Sequence, residues 1–574
     1  MFMQNRHVRL KKFVTTFFAL VFIISKARAQ EQFETSYDIT YDVGKDGVTT
    51  VTQNIEIENK EEDVLATTYS VTVKQMEIFN VYGKDTAGEL KIDTKRDSEK
   101  DAVTLSTSLN EKVIGKGRKN ELTIVYETKD LANKVGNIWN VSLPKTANLA
   151  DVKNYKAIIK IPREFGPEVF VSPKPKETNK ENGYITYIFD KDGLSGKNVT
   201  AAFGTNQILN FKLDFHLQNT EFLPMKQEIA LPPSLKGQQE IYYESLEPSP
   251  TRIYEDGDGN LLAVYKLKPK SDLQIQLKGS AKISGRQINP TFGGKIHELP
   301  EDMIKEYSKP QKYWETDSPK IKDLAEKLFD PKKNVVENAQ KAYKYITENL
   351  EYDYEITKQD FIERQGALKA LTQEEAWACM EFTDLFITLT RAMGIPAREL
   401  NGFAFSEAEN VVPVSIDLNG GDMLHSWAEF YDPNFGWIPV DPTWGTTSGI
   451  DYFTKLDTNH LAFVVKGADS EYPFPAGAYR VDTDEKQVNI DFAQNQRDFS
   501  PRLEIEKKVN LNIFKILAGK KKYRITLGEG TVLRNLNVTN KVLYPFQSAT
   551  IYLKKNLKEV PYTDYSDVNQ TFSF

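Results

Sequence analysis

For about 260 residues the hydrophobic pattern of this chain alternates with period two, and near residue 295 it changes to helical spacing. Alternation places successive side chains on opposite faces of a strand, whereas a helix repeats every three to four residues, so the two parts require different layers. Val51, Ile55 and Ile57 alternate with Thr50, Thr52, Glu56 and Glu58. The pattern returns at Leu122, Ile124 and Tyr126, and at Tyr155, Ala157, Ile159 and Ile161. Turn signals such as Lys45-Asp46-Gly47 and Lys191-Asp192-Gly193 separate these runs, as in antiparallel sandwiches. This length is generous for one sandwich, so a break near residue 205 divides a sandwich-like domain over 30–205 from a second β-rich module over 206–292. Asp256-Gly257-Asp258-Gly259-Asn260 resembles the opening of a calcium loop. Leu261 stands where that loop needs glycine and Leu267 where it needs a bidentate acid, so the segment reads as a hairpin turn.

Beyond residue 295, Val336, Ala339, Tyr343, Ile346 and Leu350 share one helical face, bounded by Pro331 and Asn349. A second helix starts at about Cys379, carries Phe382, Leu385, Phe386, Leu389 and Met393 on its buried stripe, and is stopped by Gly394 and Pro396. Two strand-like runs follow, Met423 to Tyr431 and Trp437 to Thr443, joined by Asp432-Pro433-Asn434-Phe435-Gly436. Residues 295–470 therefore form an α+β unit. Residues 471–574 return to strands, with Tyr523, Ile525 and Leu527 facing opposite to Arg524, Thr526 and Gly528. The expected architecture is multidomain: an N-terminal all-β sandwich-like region, a central α+β domain and a C-terminal β-rich domain.

Residues 1–29 have the layout of a secretory signal peptide. Arg6, Arg9, Lys11 and Lys12 precede an apolar stretch from Phe13 to Ile24, and Ala27-Arg28-Ala29 offers small residues for cleavage. The stretch is too short to span a bilayer comfortably, although an uncleaved N-terminal anchor is the alternative. Removing it takes six basic and no acidic residues, leaving 68 basic against 81 acidic and shifting the net charge from −7 to −13. A chain without basic excess is not built for nucleic acid. The single cysteine excludes an intrachain disulfide and a multi-thiolate zinc site, and five scattered histidines make clustered metal ligation unfavourable. No metal and no cofactor are expected, and export to the cell surface or medium suits so thiol-poor a chain.

Cys379 is open to three readings: drift, a small buried hydrophobe, or a nucleophile. Its place at a helix N-terminus favours the third, because unpaired amides and the helix dipole stabilise an anion there. His425 lies in the first hairpin strand and Asp441 near the end of the second, within about two residues of facing each other. A carboxylate on one ring nitrogen fixes the imidazole tautomer and frees the other nitrogen for the thiol proton.

The stretch WACMEFTDLFITLTRAMGIPAREL, residues 377–400, resembles the nucleophile helix of the transglutaminase-like superfamily. LHSWAEFYDPNFGWIPVDPTW, residues 424–444, resembles its second signature, and ITENLEYDYE looks like the element that enters this domain. The resemblance covers roughly residues 300–467 and implies a papain-like α+β fold. It places Cys379 as nucleophile, His425 as base and Asp441 as orienting carboxylate, acting by thiol acyl transfer or hydrolysis on protein or peptide amides. Many members have glycine two residues before the cysteine; here Trp377 stands there. The backbone amide of Cys379 is one oxyanion donor, and Trp377 and Trp444 are candidates for the second donor or the pocket wall. Trp427 and Trp437 read as core or groove walls, Glu429 as a structural hydrogen-bonding residue, and Arg391 and Arg398 as structural salt-bridge formers. The implied setting is a bacterial surface, with a protein or peptide substrate and a cell-wall or surface protein as candidate partner. The alternative from another class is a non-catalytic surface binding or adhesion protein that uses the transglutaminase-like domain as a scaffold.

Overall fold

The computed structural model describes residues 19–20, 32–74, 76–98, 101–143, 145–146, 149–194, 199–354, 363–373, 375–405, 416–418, 422–448, 450–479, 486–493, 498–554, 559–564 and 568–573. The leader expected over 1–29 lies outside these residues, Ala19 and Leu20 apart.

The period-two segments form strands. Phe33–Val43 and Thr49–Asn59 make an antiparallel hairpin in full register, with Tyr37, Ile39 and Tyr41 buried on one face and polar neighbours on the other. They sit near the middle of an eight-stranded sheet, antiparallel except where Asn154–Pro162 runs parallel to Phe33–Val43. A four-stranded and a three-stranded sheet contribute Phe203, Val71 and Leu105 to the same hydrophobic cluster, which also holds Ile39, Val51, Ile124 and Phe189.

A second four-stranded sheet is built on the fourteen-residue strands Asn206–Asn219 and Ser271–Ser284. Gln239–Glu247 pairs on one side and Val488–Phe492, from beyond residue 471, pairs on the other. A three-stranded sheet, with Leu261–Leu267 between Met225–Leu231 and Arg252–Glu255, covers a core containing Phe211, Phe215, Ile229, Tyr265 and Leu277. The Asp256–Asn260 segment joins two antiparallel strands as a hairpin turn. This turn does more than reverse the chain. Asp258 Oδ2 accepts from the amides of Gly467 and Ala468, at 2.9 and 3.0 Å, and the Asn260 side chain donates to and accepts from the Val465 backbone. The module is thereby pinned to the α+β unit that follows.

In that unit the helix Val335–Asn349 begins with a capping box, Asn334 accepting from the Glu337 amide while Glu337 returns the bond to Asn334. The helix Cys379–Ala392 is buried along nearly its whole length. It ends in a Schellman motif: Gly394 N donates to Arg391 O, Ile395 N donates to Thr390 O, and Gly394 takes φ +80°, a conformation open to glycine. The helix lies against an antiparallel sheet in the order 416–418, Asp422–Asp432, Ala397–Ala404, His460–Lys466, with Gly436–Val440 also paired to Asp422–Asp432. Leu503–Lys508, Lys520–Leu527 and Gln547–Lys554 form a separate three-stranded sheet over Ile525, Leu527, Leu536 and Ile551. Among the described residues no helix is long and apolar enough to cross a membrane.

Candidate active site

Three elements carry the three residues singled out by sequence. Cys379 is the first residue of its helix, His425 sits in the strand Asp422–Asp432, and Asp441 follows the strand Gly436–Val440. Val440 pairs with Ala428, which leaves Asp441 one step past the ladder and free to turn toward His425. His425 lies opposite Gly402 on the neighbouring strand. A side chain at Gly402 would place its Cβ 2.1 Å from the Leu461 carbonyl, so only glycine lets the strands approach this closely. The helix is tied to the His425 strand by Thr383 Oγ1, one turn after Cys379, which donates to the Ser426 carbonyl at 3.0 Å. A buried charge network reinforces the tie. Arg364 joins Asp384 on the helix to Glu399 on the adjacent strand, Trp314 Nε1 donates to Asp384, and Ser426 Oγ donates to Glu399.

The three residues are brought together and almost completely buried, at 0 %, 1 % and 0 % exposure for Cys379, His425 and Asp441. His425 Nε2 lies 2.8 Å from Asp441 Oδ2, while Nδ1 is buried without a hydrogen-bond partner. Burial alone would lower the imidazole pKa, but the Asp441 carboxylate, joined by the neighbouring Cys379 thiol, raises it to about 9. Asp441 moves the other way: despite its burial, the two imidazoles beside it lower its carboxyl to about 2. Its second oxygen accepts from the Trp444 amide at 2.9 Å, so both carboxylate oxygens are engaged.

The second imidazole belongs to His460, which sequence reasoning missed. Its Nε2 is 3.2 Å from Asp441 Oδ2 and its Nδ1 is 2.7 Å from Asp457 Oδ1. A carboxylate can only accept, so both ring nitrogens donate and His460 is held as an imidazolium between two acids. Burial opposes this charge and Asp457 and Asp441 restore it, again to about 9. The fold therefore corrects the expectation of scattered histidines, because two of the five meet on one carboxylate. His425 and His460 lie on the two strands flanking Ala397–Ala404, opposite Gly402 and Ala404, with ring centroids 5.8 Å apart. The ligand atoms of His425, Asp441 and His460 lie within 4.8 Å of one another, but the Asp441 oxygen facing both rings is already hydrogen-bonded to them. These atoms make a proton-holding relay whose lone pairs are committed.

The tryptophan candidates separate. Trp377 is 4 % exposed and belongs to the hydrophobic core, where its strand pairs in parallel with Glu351–Tyr352. Trp444 packs against His460 and His425 with centroids at 4.3 and 5.5 Å, and its Nε1 is buried without a partner. Trp427 stacks on His425 at 5.9 Å. A polar group next to the thiol comes instead from Tyr352, which pairs with Trp377 across the short parallel bridge. Its hydroxyl is buried without a partner; burial and the adjacent Cys379 both push its phenol far up. Arg398 makes the expected ion pair, with Glu429 at 2.5 Å, and Glu429 also accepts from Gln238. Arg391 departs from expectation. Its guanidinium donates to the carbonyls of Ala397, Lys309 and Gly467 and lies over the Trp314 ring, so it braces backbone where a salt bridge was expected.

Comparison with known proteins identifies the domain that holds these residues. Residues 322–442 match the family described as the transglutaminase-like superfamily. An uncharacterized protein of Haemophilus influenzae is 28 % identical over 196 residues, 30 % of this chain and 49 % of that protein. The uncharacterized protein YebA of Bacillus subtilis is 27 % identical over 172 residues, 29 % of this chain and 21 % of its own. The chain thus spans half or less of the curated relatives it matches. Among solved structures, a candidate cysteine protease from Cytophaga hutchinsonii is 19 % identical, with a TM-score of 0.33 and coverage of 50 % of this chain and 98 % of that one. Within a strand-rich, many-sheeted protein, the chain carries a transglutaminase-like domain over residues 322–442.

Proposed function

We propose that the protein is an exported cysteine acyltransferase or amidase that acts on protein or peptide amides through Cys379, His425 and Asp441. The observation that carries this reading is the division of labour on one imidazole: Nε2 is committed to Asp441, Nδ1 makes no hydrogen bond to any other protein group, and the ring's other ionisable neighbour is the Cys379 thiol at a helix N-terminus. The thiol proton of Cys379 resides on His425 Nδ1, in the thiolate–imidazolium pair that the raised imidazole pKa favours, and the thiolate attacks the amide carbon. The imidazolium then protonates the leaving amine as the C–N bond breaks, which leaves a thioester. Water or a second amine, deprotonated by the same nitrogen, attacks the thioester and expels the thiolate. The Cys379 amide and the Tyr352 hydroxyl are the proposed donors to the oxyanion. Because Cys379 is fully buried, a carbonyl reaches it only when a covering element moves.

The test is incubation of the full chain with glutamine-containing peptides, with and without a primary amine, read by mass spectrometry. Deamidated, amine-coupled or cleaved product in the parent protein and none with Cys379→Ser is the expected result. Product formation that survives Cys379→Ser, or its absence from the parent across peptides and proteins of the cell surface, returns the domain to a scaffold role.

A further inference from the structure

Six of the fifteen large hydrophobic side chains that stand exposed among the described residues fall within nine positions: Val509, Leu511, Ile513, Phe514, Ile516 and Leu517. Leu511, Phe514 and Leu517 are 85 %, 84 % and 80 % exposed. They form the tip of the hairpin whose strands are Leu503–Lys508 and Lys520–Leu527, with the single-turn helix Ile513–Leu517 at its end. Isolated exposed hydrophobics need no explanation, but a contiguous cluster marks a contact surface.

Two further features narrow the partner. The tip satisfies much of its own backbone: Lys515 N donates to Asn512 Oδ1, Asn510 Nδ2 to Lys520 O, Ile516 N to Asn512 O and Ala518 N to Phe514 O. A segment satisfied in this way enters a low-dielectric medium at reduced cost. The charge around it has one sign, with Lys507, Lys508, Lys515, Lys520, Lys521 and Lys522 and no acid between 507 and 522. Lys508 is neutralised by Glu506, and Lys554 adds another cation opposite Lys520. Two copies meeting tip to tip would set these lysines against each other. An anionic lipid surface accepts both parts, apolar side chains at the acyl boundary and ammonium groups at the phosphates.

We propose that the 509–517 tip inserts into the interface of a membrane containing anionic lipid and so holds the protein against it. This docking is independent of the catalytic reading. The test uses the full chain carrying Phe514→Trp, its fluorescence taken as the difference from the parent so that other membrane-binding segments cancel. With vesicles of phosphatidylcholine and phosphatidylglycerol, the added indole should shift to the blue and be quenched by brominated lipid. Each of Lys507→Gln, Lys521→Gln and Lys522→Gln should weaken the response about fivefold, as one lysine at an anionic surface implies, and high salt should suppress it. An indole that keeps its water-exposed emission with these vesicles overturns the proposal. So does a blue shift that appears without lipid and vanishes on dilution, which would identify a second copy as the partner. Insertion of equal strength into neutral vesicles, unaffected by the lysine substitutions, also overturns it.

Discussion

Asp441→Asn tests the relay at its centre. The substitution keeps size and hydrogen-bonding shape but removes the one charge that both imidazoles share. Relative to an ordinary histidine near 6.5, a pKa of about 9 for His425 represents about 3 kcal/mol of preference for the charged ring, at 1.36 kcal/mol per unit. Without the carboxylate, burial is left to act against the charge, and His425 should fall to or below its ordinary value. At pH 7.5 the protonated fraction then drops from about 97 % to about 10 % or less, so acyl transfer falls at least about tenfold before the lost orientation is counted. Because both pKa values are raised in the folded protein, the stability contributed by the two imidazolium rings is complete below about pH 6.5. It is lost as pH rises through about 9. The assay is nuclear magnetic resonance of the labelled histidine rings, of which the chain has five, with His425→Asn and His460→Asn assigning the two signals. Titration of His425 and His460 near 6.5 in the parent, or values that Asp441→Asn leaves unmoved, would refute the reasoning.

Tyr352→Phe removes a buried hydroxyl that has no protein partner, so folding should be preserved. If the hydroxyl binds the oxyanion, kcat falls by about 10²-fold with little change in KM, measured on whichever amide substrate the mass spectrometry identifies. Asp258→Ala leaves the Gly467 and Ala468 amides without their acceptor. It should cost about 2–6 kcal/mol at the junction, at about 1–3 kcal/mol for each orphaned amide, and show as faster cleavage by a protease near residues 466–468.

The Cys379 helix was readable because its stripe, its stop at Gly394 and its start at the cysteine are all local in sequence. The hairpin that brings Asp441 toward His425 was readable for the same reason, since a three-residue connection between the paired Asp432 and Gly436 fixes register. His460 was not. It reaches Asp441 from the strand His460–Lys466, which pairs with Ala397–Ala404 on the side away from the His425 strand, and no local spacing rule announces a partner two ladders away. The hydroxyl of Tyr352 was hidden similarly, since a two-residue bridge to Ala376–Trp377 places it. Asp258 was read correctly as part of a turn, but its partners lie more than 200 positions away, where local pattern has no reach. Arg391 looked like an ion-pair former because its charge is visible in sequence and the three carbonyls that receive it are not.

The strand Val488–Phe492 gives the ribosome a scheduling problem. Its partner, Asn206–Asn219, emerges about 270 residues earlier, and the whole transglutaminase-like segment must be made before that side of the strand is paired. At about 5–20 residues per second the edge stays unpaired for roughly 15–50 s, a long exposure for a fourteen-residue strand able to recruit other chains. Once Val488 arrives, the segment becomes a loop with both ends stitched into one sheet. Excision at its borders would cut the chain that carries Val488–Phe492 back to its neighbour, so the segment is less portable than its compact core implies.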